Sequence, residues 1–217
     1  RYFSRREEPA DGVFLRGEEI ISRHDGWEQV IMTTEDIRLP GVHNVENYMA
    51  AIAAVDGLVP YEVIRRFARD FNGVEHRIEL VRTYHGVRFY NDSIASSPSR
   101  TIAGLRSFPE KVILIAGGYD KHIPYEPLAP EVIAHVKNLV LMGATGPRIE
   151  KAVRECEGFD EATLPIQHAD NMQHAVELAR AAAKPGDIII LSPASASFDL
   201  YPNFEAVSYT HLTLPTN

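Results

Sequence analysis

The sequence predicts an α/β protein whose carboxyl-terminal part is a doubly wound (Rossmann-like), mostly parallel sheet. Three observations carry this expectation. VILIAGG, NLVLMG and DIIILSPA are unbroken apolar runs, which read as strands buried on both faces under covering helices. Between them lie segments whose apolar residues recur at helical spacing. The alternation begins only after FNGVEH, where the pattern breaks and a domain boundary is expected near Gly73.

Taken in order, the chain opens on Arg1 in strand-like vocabulary rather than on a methionine, so a piece of something longer is expected. VFLRGEEIISR, residues 13–23, predicts two short strands around a turn at Gly17. QVIMTT predicts another strand after Trp27. In GVHNVENYMAAIAAVDGL, Val45, Tyr48, Met49, Ile52 and Val55 recur at helical spacing. Pro60 opens a further helix, PYEVIRRFARDF. Beyond the boundary, RIELVRTYHGVRFYND predicts a hairpin turning at His85-Gly86. Helices are then expected in SPSRTIAGLRSF, PLAPEVIAHV, GPRIEKAVREC and MQHAVELARAAA, with LPIQHA a short strand.

Composition narrows the function classes. The 217 residues are 45% hydrophobic and 24% charged, with a formal net charge of -8. That balance makes a nucleic-acid backbone an unsuitable partner, while local sites can still hold nucleotides through backbone N–H groups and a few cations. The single cysteine, Cys156, allows no internal disulfide or thiol-rich metal site and falls on a predicted helix. The nine histidines show no ligand spacing, so no metal site is expected. No apolar run approaches the ~18 residues of a membrane span and no stretch reads as a secretory signal, so the expectation is a cytoplasmic protein without a membrane partner.

The loops after the apolar strands, NDSIASS, GGYDKH and SPASASFD, should emerge on one rim of the sheet, where α/β folds bind ligands. They offer Asp92, Ser96, Lys121, Ser195, Ser197 and the glycines Gly117 and Gly118. One cation among several hydroxyls suits a small anion such as a carboxylate. Taken singly, Ser96-Ser97 can also be a helix cap and Lys121 a solvated surface lysine. Upstream, Asn44 and Asn47 share a helical face and can read a base edge, or Asn44 can cap its helix; His43 beside them can be structural. His76 and Arg77 stand at the expected domain junction, where the arginine suits either a phosphate or an inter-domain ion pair. Neither G-x-x-x-x-G-K-[ST] nor G-x-G-x-x-G after a strand occurs, and H-E-x-x-H and G-x-S-x-G are absent as well.

As a set, G-V-H-N-V-E-N, H-R, N-D-S, G-G-Y-D-K and S-P-A-S-A-S-F-D resemble the Mur ligases, ATP-dependent amide ligases of peptidoglycan precursor synthesis. The resemblance runs from about Arg1 to Glu205, and YNDSIASSP points to the members that add D-glutamate. It implies that residues 1–73 are the carboxyl-terminal portion of the central ATP-binding domain and 74–206 the carboxyl-terminal domain. It further implies that the carboxylate of UDP-N-acetylmuramoyl-L-alanine is activated by ATP with Mg2+ to an acyl phosphate, which the amine of D-glutamate attacks. Asn44 and Asn47 would approach the adenine, with His76, Arg77 and Asp92 toward ribose and phosphates. Ser96, Lys121, Ser197 and Phe204 would hold D-glutamate. No catalytic residue is assigned, the Mg2+ ligands are expected upstream, a monomer is expected, and these residues alone are expected to be inactive.

Two departures stand out. Ile94 occupies a position that is lysine in some members, and Ser96 one that is threonine. Residues 207–217, VSYTHLTLPTN, match nothing in the pattern, contain Thr210, Thr213 and Pro215, and are expected to be a foreign tail with poor helix propensity. The alternatives are a sister ligase adding another amino acid and a non-catalytic nucleotide-binding α/β module.

Overall fold

The computed structural model describes residues 1–196. The chain divides into two compact units, Arg1–Asn72 and a second from Gly73 onward.

The first unit begins with β1 (Tyr2–Ser4), β2 (Gly12–Arg16), β3 (Glu19–His24) and β4 (Trp27–Thr33), side by side in that order. β1 runs parallel to β2, and the other pairings are antiparallel. Two helices follow, α1 (Val42–Val55) and α2 (Tyr61–Asp70). Tyr48, Met49 and Ile52, on the face that the helical spacing predicts, pack with Val13, Ile20, Ile31 and Met32 of the sheet and Ile64 and Ala68 of α2. Pro60 does not begin the helix but caps it, its carbonyl receiving the N–H groups of Val63 and Ile64. Asp56, just past α1, draws the layers together by accepting from Ser22 Oγ and from the Tyr61 hydroxyl (2.6 Å).

The second unit opens with the antiparallel hairpin of β5 (Glu79–Tyr84) and β6 (Val87–Asn91). His85 and Gly86 at its tip both have positive φ, 48° and 77°, as a two-residue turn matched to strand twist requires. Then come α3 (Pro98–Leu105), β7 (Val112–Gly117), α4 (Ala129–His135), β8 (Val136–Met142), α5 (Gly146–Arg154), β9 (Ile166–Ala169), α6 (Met172–Ala182) and β10 (Ile188–Leu191). The sheet order is β5-β6-β10-β7-β8-β9, and every pairing from β6 to β9 is parallel.

Side-chain alternation along the buried strands feeds two cores. Leu114, Ala116, Leu139, Leu141, Ile188 and Ile190 face Leu105, Val132, Ile149 and Val153 of α3, α4 and α5. Ile113, Ile115, Val140, Ile189 and Leu191 face Met172, Ala175, Val176 and Ala179 of α6. With helices on both faces of a parallel sheet, this unit is doubly wound, as the unbroken apolar runs predict. Among the described residues no helix is long and apolar enough to cross a membrane.

Candidate functional site

β10 comes last in sequence among the described strands but lies between β6 and β7, and it runs parallel to both. The loops after β6, β7 and β10 therefore leave the same rim from three neighbouring strands. Side-chain chemistry is brought to one place by this insertion, at the carboxyl ends where open α/β sheets bind ligands.

The loop after β6 begins with Asp92, which is only 3% exposed. Its N–H donates to the Leu191 carbonyl (2.8 Å), which fixes it against β10. Ser192 Oγ donates to Asp92 Oδ2 (2.7 Å), and the Ile78 N–H donates to Oδ1 (3.3 Å). Thr101 of α3 stands behind, its Oγ1 2.9 Å from Ser192 Oγ. Burial pushes the Asp92 carboxyl up to about 6, against the downward pull of those two donors and of Arg77 and Arg100 nearby. α3 passes so close that a Cβ at Gly104 would lie 2.9 Å from Asp92 Oδ2.

His76, Arg77 and Ile78 form a tight turn against this loop. His76 and Ile78 hold φ of 66° and 47°, a left-handed region costly for such side chains. The turn aims the Ile78 N–H at Asp92, and the His76 carbonyl accepts from the Ile94 N–H (3.3 Å). The Asn91 amide nitrogen lies 3.2 Å from His76 Nδ1, and Glu79 accepts the His76 N–H (2.8 Å). Arg77 is exposed, so its guanidinium can meet a phosphate with two parallel bonds. Ser96 is half-buried, its N–H donating to the Ile94 carbonyl (2.8 Å). Ser97 takes the N-cap position of α3, yet its hydroxyl makes no cap bond and sits 3.2 Å from Ser99 Oγ.

In the loop after β7 the glycines are required by close approach. A Cβ at Gly117 (φ 110°) would come 2.0 Å from the Met142 carbonyl oxygen, and one at Gly118 (φ 153°) 2.3 Å from that of Ala196. Tyr119 N–H donates to the Ala196 carbonyl (2.7 Å), lacing this loop to the one after β10. Lys121 is exposed a little further on. Ser195 is not at the surface. Its Oγ is buried 2.8 Å from the Tyr125 hydroxyl and 2.9 Å from Thr145 Oγ1, and that threonine in turn accepts the Gly118 N–H (2.9 Å).

In the first unit, Asn44 and Asn47 share a face of α1, with Asn47 Nδ2 3.5 Å from Asn44 Oδ1. The cap reading of Asn44 does not hold. Gly41 is the N-cap, and the Asn44 amide instead donates to the Pro40 carbonyl (2.7 Å). Ser197 and Phe204 lie outside the described residues, as does the 207–217 tail.

The structure thus gathers His76, Arg77, Asp92 and Ser96 around the end of β6, and Lys121 beyond the end of β7. Thr101, Tyr125, Thr145, Arg148 and Ser192 complete the surroundings, and the first four belong to no motif of the sequence. Ser192 had a signal, the first polar residue after IIIL. The others meet the site only through the way the helices pack.

Residues 76–195 match the family described as Mur ligase, glutamate ligase domain. Curated relatives named UDP-N-acetylmuramoylalanine--D-glutamate ligase are 54% identical over 206 residues in Acetivibrio thermocellus and 52% identical over 206 residues in Ruminiclostridium cellulolyticum. Each match covers 94% of this chain and 44% of the relative, so the chain spans less than half the length of these relatives. Among solved structures, the fold is similar to that of Mycobacterium tuberculosis folylpolyglutamate synthase complexed with ADP, with a TM-score of 0.62 and 14% identity over 92% of this chain and 46% of that one. It is also similar to that of MurF from Acinetobacter baumannii, with a TM-score of 0.59 and 17% identity over 90% of this chain and 45% of that one.

Proposed function

The chain belongs to the Mur ligase family, and on that premise we propose that it supplies the carboxyl-terminal part of an ATP-dependent ligase adding D-glutamate to UDP-N-acetylmuramoyl-L-alanine. The observation that carries the reading is the 54% identity, across 94% of the chain, to a relative named for that reaction. The shared rim of the three loops supports it, because a lysine and serine hydroxyls suit the carboxylates of a short dicarboxylic amino acid.

In this reading ATP converts the muramoyl-alanine carboxylate to an acyl phosphate, and the amine of D-glutamate attacks to give the amide and phosphate. Lys121, Ser96, Ser197 and Phe204 are assigned to D-glutamate. The ammonium and hydroxyls fix its carboxylates so that the amine is presented to the acyl carbon, a contribution of orientation rather than of bond chemistry. Asn44 and Asn47 are assigned to the adenine of ATP, and His76, Arg77 and Asp92 to ribose and phosphates. Asp92 already holds Ser192 and the Ile78 N–H, so a ribose hydroxyl would share its remaining lone pairs. Ile94 brings no cation to this loop, which leaves Lys121, Arg77 and Arg100 to offset negative charge.

Residues 1–73 are assigned to a central ATP-binding domain and 74–206 to a carboxyl-terminal domain. Among the described residues no three His, Cys, Asp or Glu side chains are grouped to hold a metal. The Mg2+ of the proposed reaction is assigned, as part of this reading, to residues upstream. The reading extends to a cytoplasmic monomer.

The test is phosphate release by the full-length protein with ATP and UDP-N-acetylmuramoyl-L-alanine, offering D-glutamate, L-glutamate, L-alanine, L-lysine and meso-diaminopimelate in turn. Release is expected with D-glutamate alone, and Lys121→Ala should abolish it. Release with another amino acid would overturn the substrate, and no release with any would overturn the ligase reading.

A further inference from the structure

The loop that carries Lys121 is held from outside by the start of α5. Thr145, its N-cap, fixes the base of the loop, with its N–H donating to the Gly118 carbonyl (3.0 Å) and its Oγ1 accepting the Gly118 N–H (2.9 Å). One turn on, the Arg148 guanidinium spans the far end. Its Nη1 pairs with Asp120 Oδ1, and its Nη2 donates to the Ile123 carbonyl (3.2 Å). The same guanidinium lies 5.4 Å from the ring centroid of Tyr125, whose hydroxyl meets buried Ser195. Asp120 also accepts the His122 N–H (2.7 Å). A single arginine therefore brackets Lys121 and His122.

Asp120 and Lys121 are adjacent in the chain, so a free Asp120 carboxylate would sit beside the lysine at a high effective concentration. The donated His122 N–H and the Arg148 guanidinium hold the Asp120 carboxyl below its ordinary range, so it is ionised wherever the protein works. An ionised neighbour without a partner of its own would compete with any incoming carboxylate for the ammonium.

We propose that Arg148 is a positioning residue for amino-acid binding: by occupying the Asp120 carboxylate and closing the loop at Ile123, it keeps Asp120 from claiming the Lys121 ammonium. This rests on the reading in which Lys121 meets a carboxylate of D-glutamate. Arg148 itself touches no substrate in this scheme.

The test is steady-state phosphate release by the full-length protein, with D-glutamate and ATP varied separately. Arg148→Ala should raise the KM for D-glutamate about fivefold, the scale of one half-exposed ion pair, and leave the KM for ATP unchanged. Adding Asp120→Asn should restore the KM for D-glutamate toward its original value, because the competing charge is gone. A double variant as impaired as the single one, or a KM for ATP that rises in step, would reduce Arg148 to a structural support and overturn the proposal. Should Arg148→Ala fail to fold, Arg148→Gln keeps a donor for Ile123 while releasing Asp120, and the same outcomes apply. Lys121→Ala separates the two levels. If it leaves phosphate release unchanged, the glutamate reading falls and this inference with it; if it abolishes release while Arg148→Ala leaves the KM for D-glutamate unchanged, this inference alone falls.

Discussion

Two loops leave the same rim of the second sheet and handle charge in opposite ways. After β6, the acid of NDSIASS turns inward, where Asp92 is 3% exposed and bonded to Ser192 and the Ile78 N–H. After β7, the cation of GGYDKH stays outside, while α5 grips the loop on either side of it through Thr145 and Arg148. The difference shows that a polar residue at the carboxyl end of a strand can be engaged by the fold itself before any ligand arrives. The acid fixes its own loop to the neighbouring strand. The lysine is exposed, and the acid next to it is met by another cation.

The contrast can be broken first through pH, where the largest effect is expected. Burial raises the Asp92 carboxyl in the fold to about 6, from an ordinary value of 3.8. Between those values the folded chain binds more protons than the unfolded one, so stability is present below the lower value and is lost as pH rises through the upper one. A shift of that size corresponds to about 3 kcal/mol. Urea unfolding from pH ~4 to pH ~7 should show the fall, and Asp92→Asn should flatten it. Equal slopes in the two proteins would mean that Asp92 is not buried as an acid.

A smaller effect sharpens the same side. Ser192→Ala leaves one oxygen of a buried carboxylate without its donor, which should cost about 2 kcal/mol at neutral pH. It should also raise the Asp92 pKa further, because the lost bond favours the charged form. Denaturant melts together with carboxyl titration by NMR would read both, and a silent substitution would show that Ser192 does not hold the acid.

The smallest effect belongs to the outward loop. Lys121→Ala should change stability by no more than about 0.5 kcal/mol, as expected for an exposed side chain away from the core. A loss matching that of Ser192→Ala would show the lysine to be engaged in the fold, and the contrast between the loops would disappear.

Much of this arrangement is legible in the sequence because its signals are local. VILIAGG and DIIILSPA announce buried strands without outside help, and His85-Gly86 announces its turn. The rim follows from them, since polar residues after parallel strands must emerge at one end. What is not legible depends on pairing at a distance. The direction of Asp92 is set by Ser192, a hundred residues further along in the chain, and nothing in NDSIASS says which way its acid points. Tyr125, Thr145 and Arg148 look like ordinary helix-start and surface residues until α4 and α5 are packed beside β7. Ser97 shows a local rule applied and then overridden. Its backbone caps α3 as serine should, but its hydroxyl goes to Ser99.

The position of β10 has a consequence for how the protein is made. Synthesis runs from the amino end, so β6 and β7 leave the ribosome well before Ile188–Leu191, the strand that pairs with both. Until it arrives, their inner edges carry unpaired backbone groups flanked by Phe89, Ile113 and Ile115, the kind of edge that invites pairing with another chain. The three loops can meet on one rim only when β10 threads into the gap. Nascent chains that stall before Ile188 therefore leave the sheet open at its centre rather than at its border, with two unpaired edges instead of one.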